Sequence, residues 1–178
     1  MMFIQFFVWG AWYVTMGNYL GKNGLNFSGP AIGAAYSATS WAAVVSPFFI
    51  GMIADRFFSA QKVLGVMHLL GAVLMYYLST VTDSGPFFWA VLGYALTYMP
   101  TLALVNAIAF NQMESTEKEF PAIRVLGTLG WIVAGLVIWA INRIGGASIE
   151  ATAIPMKMAA GAALIMGIYS FFLPSTPP

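Results

Sequence analysis

Long apolar stretches separated by short polar segments dominate the hydrophobic pattern of this chain. A helix that crosses a bilayer needs about 20 apolar residues. Because the joining segments are short, consecutive helices should be antiparallel neighbours, and an even number of crossings places both termini on the same side. The pattern predicts an all-α membrane protein with six transmembrane helices at about residues 1–20, 31–54, 63–81, 87–110, 123–141 and 154–173.

The composition agrees with a membrane location. Of the 178 residues, 60% are hydrophobic and only 7% are charged, whereas soluble domains carry about 25% charged residues. The charges are too few to cover a surface that faces water, so we expect the lipid bilayer to surround the chain. The net charge of +1 argues against binding to nucleic acid, which requires a basic surface.

Motifs of intramembrane enzymes do not occur in the sequence. There is no His-Glu-x-x-His, no Gly-x-Ser-x-Gly and no clustering of metal-ligating residue types, which are the patterns that hydrolytic and metal-dependent sites use. The absence of cysteine excludes a disulfide framework and thiol chemistry. We therefore predict that the chain is not an enzyme and that it needs neither a metal nor a cofactor.

Charges at the ends of the predicted spans do not choose an orientation. The positive-inside rule counts Lys and Arg in the short loops, and the two sides carry three each. The acidic residues at span ends and in loops are interpreted as solvated charges. The basic residues are Arg56, Lys62 and Lys118 on the side of the termini and Lys22, Arg143 and Lys157 on the other, and the acidic residues are Asp83, Glu114, Glu117 and Glu150.

Arg124 is the most informative residue of the fifth span, which we expect to open at Pro121. An arginine near the bilayer interior costs at least ~2.5 kcal/mol, so it should face other helices or a wet cavity. Thr128 and Trp131 follow at i+4 and i+7 and share its helical face. This face would suit a polar ligand with a flat ring. Alternatively, Arg124 snorkels to lipid phosphate or pairs with Glu119, and Trp131 faces lipid or fills the core.

Polar and aromatic residues in three other spans are further candidates. Gln5, Trp9 and Tyr13 recur every four residues in the first span, and Tyr98 lies in the fourth. Gln5 and Tyr98 are interpreted either as walls of a binding pocket or as hydrogen-bonding contacts between helices. His68, in the third span, is either a proton-linked residue or a satisfied interior group.

Small residues and a short charged turn complete the set of features. The glycines of the first and fifth spans predict close approach between helices. In the turn between spans two and three, Asp55 can accept N–H bonds from a helix N-terminus and oppose its dipole, or it is an ordinary solvated charge. The glycines are Gly10 and Gly17 in the first span and Gly127, Gly130 and Gly135 in the fifth.

This turn also carries a resemblance to a known family. Gly51-x-x-Ala-Asp55-Arg56 resembles the loop motif of the major facilitator superfamily, and the Ser-Ala that follows resembles its nucleoside:H+ symporter branch. The resemblance extends over nearly the whole chain. The matching stretches are Gln5-Phe6 with Trp9-Gly10 and Trp12, Tyr98-Met99-Pro100-Thr101-Leu102 with Asn106, and Phe120-Pro121 with Ile123-Arg124 and Gly127-Thr128.

The resemblance implies an architecture that the hydrophobic pattern alone does not. Such carriers have two six-span halves, and this chain resembles the N-terminal half, residues 1–178, built as two inverted three-helix repeats. Substrate lies between the halves near the bilayer midplane. The implied partners are a nucleoside, a proton, the bilayer and either the C-terminal half or a second copy. The implied location is a bacterial inner membrane, with both termini cytoplasmic.

The implied function is proton-coupled nucleoside uptake by alternating access. In the family, the residues matched by Arg124 and Thr128 contact nucleoside, and Trp131 occupies a position where phenylalanine is usual. Asp55, with Gly51 and Arg56, would act as a conformational latch. Two alternatives remain open at this point: a carrier of a sugar or another small polar solute, and a membrane scaffold that transports nothing.

Overall fold

The computed structural model describes residues 1–177, except for the side chains of Ile53, Ala54 and Asp55. Within that range all regular structure is helical, which confirms the all-α prediction. Seven helices follow one another in the described part of the chain. They are α1 (Met2–Trp12), α2 (Met16–Leu20), α3 (Gly29–Arg56), α4 (Ala60–Leu78), α5 (Ser84–Gln112), α6 (Thr116–Gly145) and α7 (Ile154–Ser170).

The first predicted span is interrupted, which the sequence pattern did not predict. Residues 13–15 form a turn between α1 and α2. The hydroxyl of Thr15 donates to the carbonyl of Trp12 at 3.1 Å, and the hydroxyl of Tyr36 in α3 donates to the carbonyl of Tyr13 at 3.2 Å. Side-chain hydroxyls thus bond with backbone groups at the break, which is how Ser and Thr compete with helix continuation.

Helix α6 begins earlier than predicted. It starts at Thr116, so Pro121 lies inside the helix and not in its first turn. The carboxylate of Glu119 accepts the backbone N–H of Ser115, the N-cap residue, at 2.9 Å. This bond satisfies one backbone donor at the helix start, as capping side chains commonly do. Residues 116–122 and 142–145, which lie beyond the predicted span, make α6 30 residues long.

The helices pack into a single bundle. Helix α1 lies against α6 and α7, α4 lies against α5 and α7, and α3 packs mainly on α5. Among the described residues, α4, α5 and α6 are long and apolar enough to cross a membrane, and α7 is a shorter apolar helix. The core is centred on buried side chains of α1 and α5, including Trp12, Phe87 and Tyr94.

Glycines allow α1 and α6 to approach closely, as predicted for spans one and five. A Cβ at Gly10 would lie 3.0 Å from the Cα of Trp131, and a Cβ at Gly127 would lie 2.7 Å from the Phe6 ring. A Cβ at Gly130 would collide with the carbonyl oxygen of Phe3. Small residues thus bring the two backbones together. Gly135 is different, because the space around it is open.

Candidate functional site

The contact line between α1 and α6, here called the α1–α6 seam, carries Arg124. Its guanidinium carbon lies 4.2 Å from the centroid of the Phe6 ring, within the range of a cation–π interaction. Gly127, one turn further along α6, leaves the space that the Phe6 ring occupies. Arg124 is nevertheless exposed at the surface of the bundle. The charge is therefore fixed by an aromatic ring while its N–H donors remain accessible.

Thr128 and Trp131 continue the same face of α6. Thr128 is exposed and Trp131 is partly buried. The backbone of Trp131 lies against Gly10, and its ring meets that of Trp9 edge to face at 5.5 Å between centroids. Arg124, Thr128 and Trp131 therefore line one side of the seam, as their spacing predicted.

Trp9 is the centre of an aromatic cluster that spans α1, α5 and α6. Its indole N–H is buried and finds no hydrogen-bond partner among the described residues. An unpaired buried donor costs about 1–3 kcal/mol, a cost that the packing of the surrounding aromatic rings offsets. The rings within 6.2 Å of the Trp9 centroid are those of Phe6, Tyr13, Tyr98 and Trp131.

Gln5 lies on the inner side of α1 and has no exposed surface. Its amide nitrogen donates to the hydroxyl of Thr101 in α5 at 2.7 Å. Its amide oxygen lies 2.7 Å from Nε2 of His68 in α4, and its backbone carbonyl accepts the hydroxyl of Tyr98 at 2.6 Å. We call Gln5, His68, Tyr98 and Thr101 the interior network. Both ends of the Gln5 amide are already used by other helices.

The interior network also determines which ring nitrogen of His68 donates a hydrogen bond. The ring is 2% exposed, and its Nε2 must donate, because the amide nitrogen of Gln5 is the group facing Thr101. Tyr98 packs against the same ring at 5.9 Å. These contacts match the interpretation of Gln5, Tyr98 and His68 as satisfied groups between helices. Their contact with substrate or proton stays a prediction.

The predicted conformational latch is only partly visible. The side chain of Asp55 lies outside the described residues. Arg56 ends α3 and is exposed, and Gly51 lies inside α3 with open space around it. The latch therefore stays a prediction.

Sequence reasoning missed three partners in these contacts. Phe6 had no assigned role, because its partner Arg124 lies on another helix far along the chain. Thr101 was not assigned to Gln5, because 96 residues separate them. Glu150 was interpreted as a solvated charge, yet its carboxylate accepts hydrogen bonds from the side-chain amides of Asn18 at 2.9 Å and Asn142 at 3.3 Å.

Two solved structures match this fold over nearly its full length. The crystal structure of nucleoside transporter NupG aligns with a TM-score of 0.88, and that of its D323A mutant with 0.90. Each is 33% identical in sequence and is matched over 99% of this chain and 43% of the NupG chain. The helical bundle is thus that of a membrane transport protein.

The sequence comparisons specify the family. The family model described as "Nucleoside H+ symporter" matches residues 1–178. The chain belongs to the nucleoside H+ symporter family, which confirms the resemblance derived from its motifs. The relatives are transporters and not enzymes, which confirms that part of the prediction as well.

Two relatives from Escherichia coli (strain K12) illustrate the extent of the match. The putative nucleoside transporter YegT is 49% identical over 179 residues, covering 100% of this chain and 42% of YegT. Xanthosine permease is 36% identical over 181 residues, covering 99% of this chain and 42% of the permease. The chain therefore spans less than half the length of these relatives.

Proposed function

We propose that this chain is the N-terminal six-span half of a carrier that takes up nucleosides together with protons by alternating access. The observation that carries the proposal is the α1–α6 seam. There, Arg124 stacks on Phe6, and Trp131 packs on Trp9 along the same face. The family, and the names of relatives such as xanthosine permease and NupG, support a nucleoside as the substrate.

The seam has the chemistry that a nucleoside needs. The guanidinium of Arg124 offers N–H donors in a planar fork, and Thr128 offers a hydroxyl that both donates and accepts. These groups suit base carbonyls and ribose hydroxyls. A base stacked on an aromatic side chain gains about 1–3 kcal/mol, which Trp131 would supply.

The span count and the inverted repeats belong to the same proposal. We count α1 and α2 together as one interrupted span, which makes six. Exchanging the first three spans with the last three maps the α1–α6 contact onto α5–α3, and the α4–α5 contact onto α7–α1. The α4–α7 contact maps onto itself. A pseudo-twofold arrangement of two three-helix units accounts for this pattern.

The remaining parts of the carrier follow from the family. The second half would close over the exposed face of Arg124 and supply further ligands, including the acidic groups that couple to protons. Both termini would be cytoplasmic in a bacterial inner membrane. Asp55, with Gly51 and Arg56, would stabilise one conformation by capping a helix of the second half. Substrate would be released when the halves change their relative tilt.

An uptake assay tests the proposal. The assay uses a carrier in which this chain is followed by its own C-terminal half or, if the reading frame ends at Pro178, by that of YegT. Proteoliposomes with this carrier should accumulate a labelled nucleoside when the outside is acidic, and unlabelled nucleosides should compete whereas sugars should not. Competition by sugars alone would favour the hypothesis of a sugar carrier. Absence of any uptake would contradict a transport function.

A pair of variants tests the role of the seam in the same assay. Arg124→Ala should reduce uptake at low substrate concentration at least about tenfold, since a hydrogen bond to a charged group contributes about 1.5–3 kcal/mol. Arg143→Ala is the matched control, because Arg143 is also exposed but lies in the last turn of α6. Equal uptake by both variants would remove Arg124 from the site.

A further inference from the structure

Two cavities at one end of the bundle share the side chains of Asn18 and Glu150. The first, of about 260 Å³, extends along the α1–α6 seam and is lined by Gly10, Thr15 and Trp131 as well as this pair. The second, of about 400 Å³, opens at the bundle end near Asn23. Because Trp131 lines the first cavity, the pair lies between the bundle end and the proposed nucleoside face.

Glu150 is held in a defined position there. One carboxylate oxygen accepts the amide of Asn18, and the other accepts the amide of Asn142 near the end of α6. The side-chain amide oxygen Oδ1 of Asn142 in turn accepts the backbone N–H of Ile149 at 2.7 Å, which fixes the loop that carries Glu150. A negative charge is thus oriented by donors from α2 and α6.

The carboxylate retains capacity for a ligand. Two carboxylate oxygens offer about four acceptor sites, and the neighbouring amides use two of them. Glu150 is only partly buried, so the remaining sites are accessible. The remaining sites accept hydrogen bonds, which suits a ligand with neighbouring hydroxyl donors.

We infer that Glu150 binds the vicinal ribose hydroxyls of a nucleoside at an outer site, from which the substrate passes along the first cavity to Trp131. This inference rests on the proposed function. Asn18 and Asn142 are positioning residues that orient the carboxylate. The two cavities are of the size at which small-molecule sites begin, about 300 Å³. The outer site would favour ribonucleosides over analogues that lack the 2′ and 3′ hydroxyls.

The test measures initial uptake by the complete carrier for uridine and for 2′,3′-dideoxyuridine. Glu150→Gln keeps the size of the side chain and removes its charge and one acceptor oxygen. The KM for uridine should rise about tenfold, the cost of a lost charged hydrogen bond. The KM for the dideoxy analogue should change less than about twofold. Asp83→Asn is the matched control, since Asp83 is an exposed carboxylate of the loop before α5.

A second variant tests whether Glu150 binds the ligand or only holds α2 and α6 together. Asn18→Ala removes one tie to Glu150 but leaves the carboxylate, so it should keep most of the preference for uridine. Three results would overturn the outer site. The KM could change equally for both substrates in Glu150→Gln, or stay unchanged for both. Alternatively, Asn18→Ala could lose the preference for uridine as completely as Glu150→Gln. If the unchanged carrier takes up neither compound, the proposed function fails, and the outer site fails with it.

Discussion

The interior network and the α1–α6 seam meet at Trp9, whose ring contacts both Tyr98 and Trp131, and they use their polar groups differently. In the interior network, Gln5 bonds to both His68 and Thr101 and is fully buried. On the seam, Arg124 contacts a ring while its donors stay accessible, and Trp9 has an unpaired N–H. Polar groups that are already paired hold helices together, whereas the exposed donors of Arg124 are available to a ligand.

The largest effect on stability is expected from a substitution that forces α1 away from α6, because α1 belongs to both regions. Gly130→Ala would place a methyl group against the carbonyl oxygen of Phe3 in α1. Because a backbone atom cannot move aside, we expect a loss of about 3 kcal/mol in stability, at the upper end of typical overpacking. The measurement is the thermal unfolding midpoint of the carrier in detergent.

Gly135→Ala is the matched control for this substitution. Nothing lies within 4 Å of a Cβ at Gly135, and alanine is the better helix former by about 1 kcal/mol. Its unfolding midpoint should stay the same or rise. A fall of the same size in both variants would show that the close approach of α1 and α6 is not what Gly130 provides.

The next largest effect separates the interior network from substrate binding. Gln5→Leu leaves the Nε2–H of His68 without its acceptor, a loss of about 2 kcal/mol in stability for a buried donor. The unfolding midpoint should fall, whereas the KM of the folded fraction for nucleoside should stay within about threefold. Gln112→Leu, at the exposed end of α5, should leave both quantities unchanged. A large KM change in Gln5→Leu with normal stability would make Gln5 a ligand contact.

A smaller effect is expected when the support under Arg124 is removed. Phe6→Leu keeps an apolar side chain but removes the ring under the guanidinium. A cation–π contact contributes about 0.5–2 kcal/mol, so the KM for nucleoside should rise about fivefold, with little change in the unfolding midpoint. Phe3→Leu is a suitable control, since Phe3 stacks on Phe7 on the same helix. If both leucine variants behave alike, Phe6 does not orient Arg124.

The smallest effect concerns Trp131. Trp131→Phe retains an aromatic face for stacking and matches the residue that the family resemblance implies at this position. The KM for nucleoside should change less than about threefold, because stacking tolerates different aromatic rings. Trp131→Ala in the same uptake assay should have a clearly larger effect. Equal KM values in the Phe and Ala variants would place the base away from this ring.

The polar positions on each helix were visible in the sequence, but their pairing was not. The spacing of Arg124, Thr128 and Trp131 correctly placed them on one face, since helical periodicity is a local property. The spacing of Gln5 and Trp9 did not show that the Gln5 side chain bonds to α4 and α5, whereas the Trp9 ring also contacts α6. That difference depends on α4 and α5, which approach α1 from far along the chain. The same reason hid the contact of Glu150 with Asn18, 132 residues away.

The sequence by itself determined that this protein is a bundle of apolar helices in a membrane and a member of its transporter family. The length of a hydrophobic segment and a short motif are local features, so they can be recognised in the sequence without knowing the fold. The tertiary structure decided where α1 ends, which polar groups form hydrogen bonds between helices and which stay accessible at the α1–α6 seam. A hydrogen bond between two helices forms only when packing brings donor and acceptor into the right geometry. The sequence near one residue therefore does not show which distant residue will be its partner.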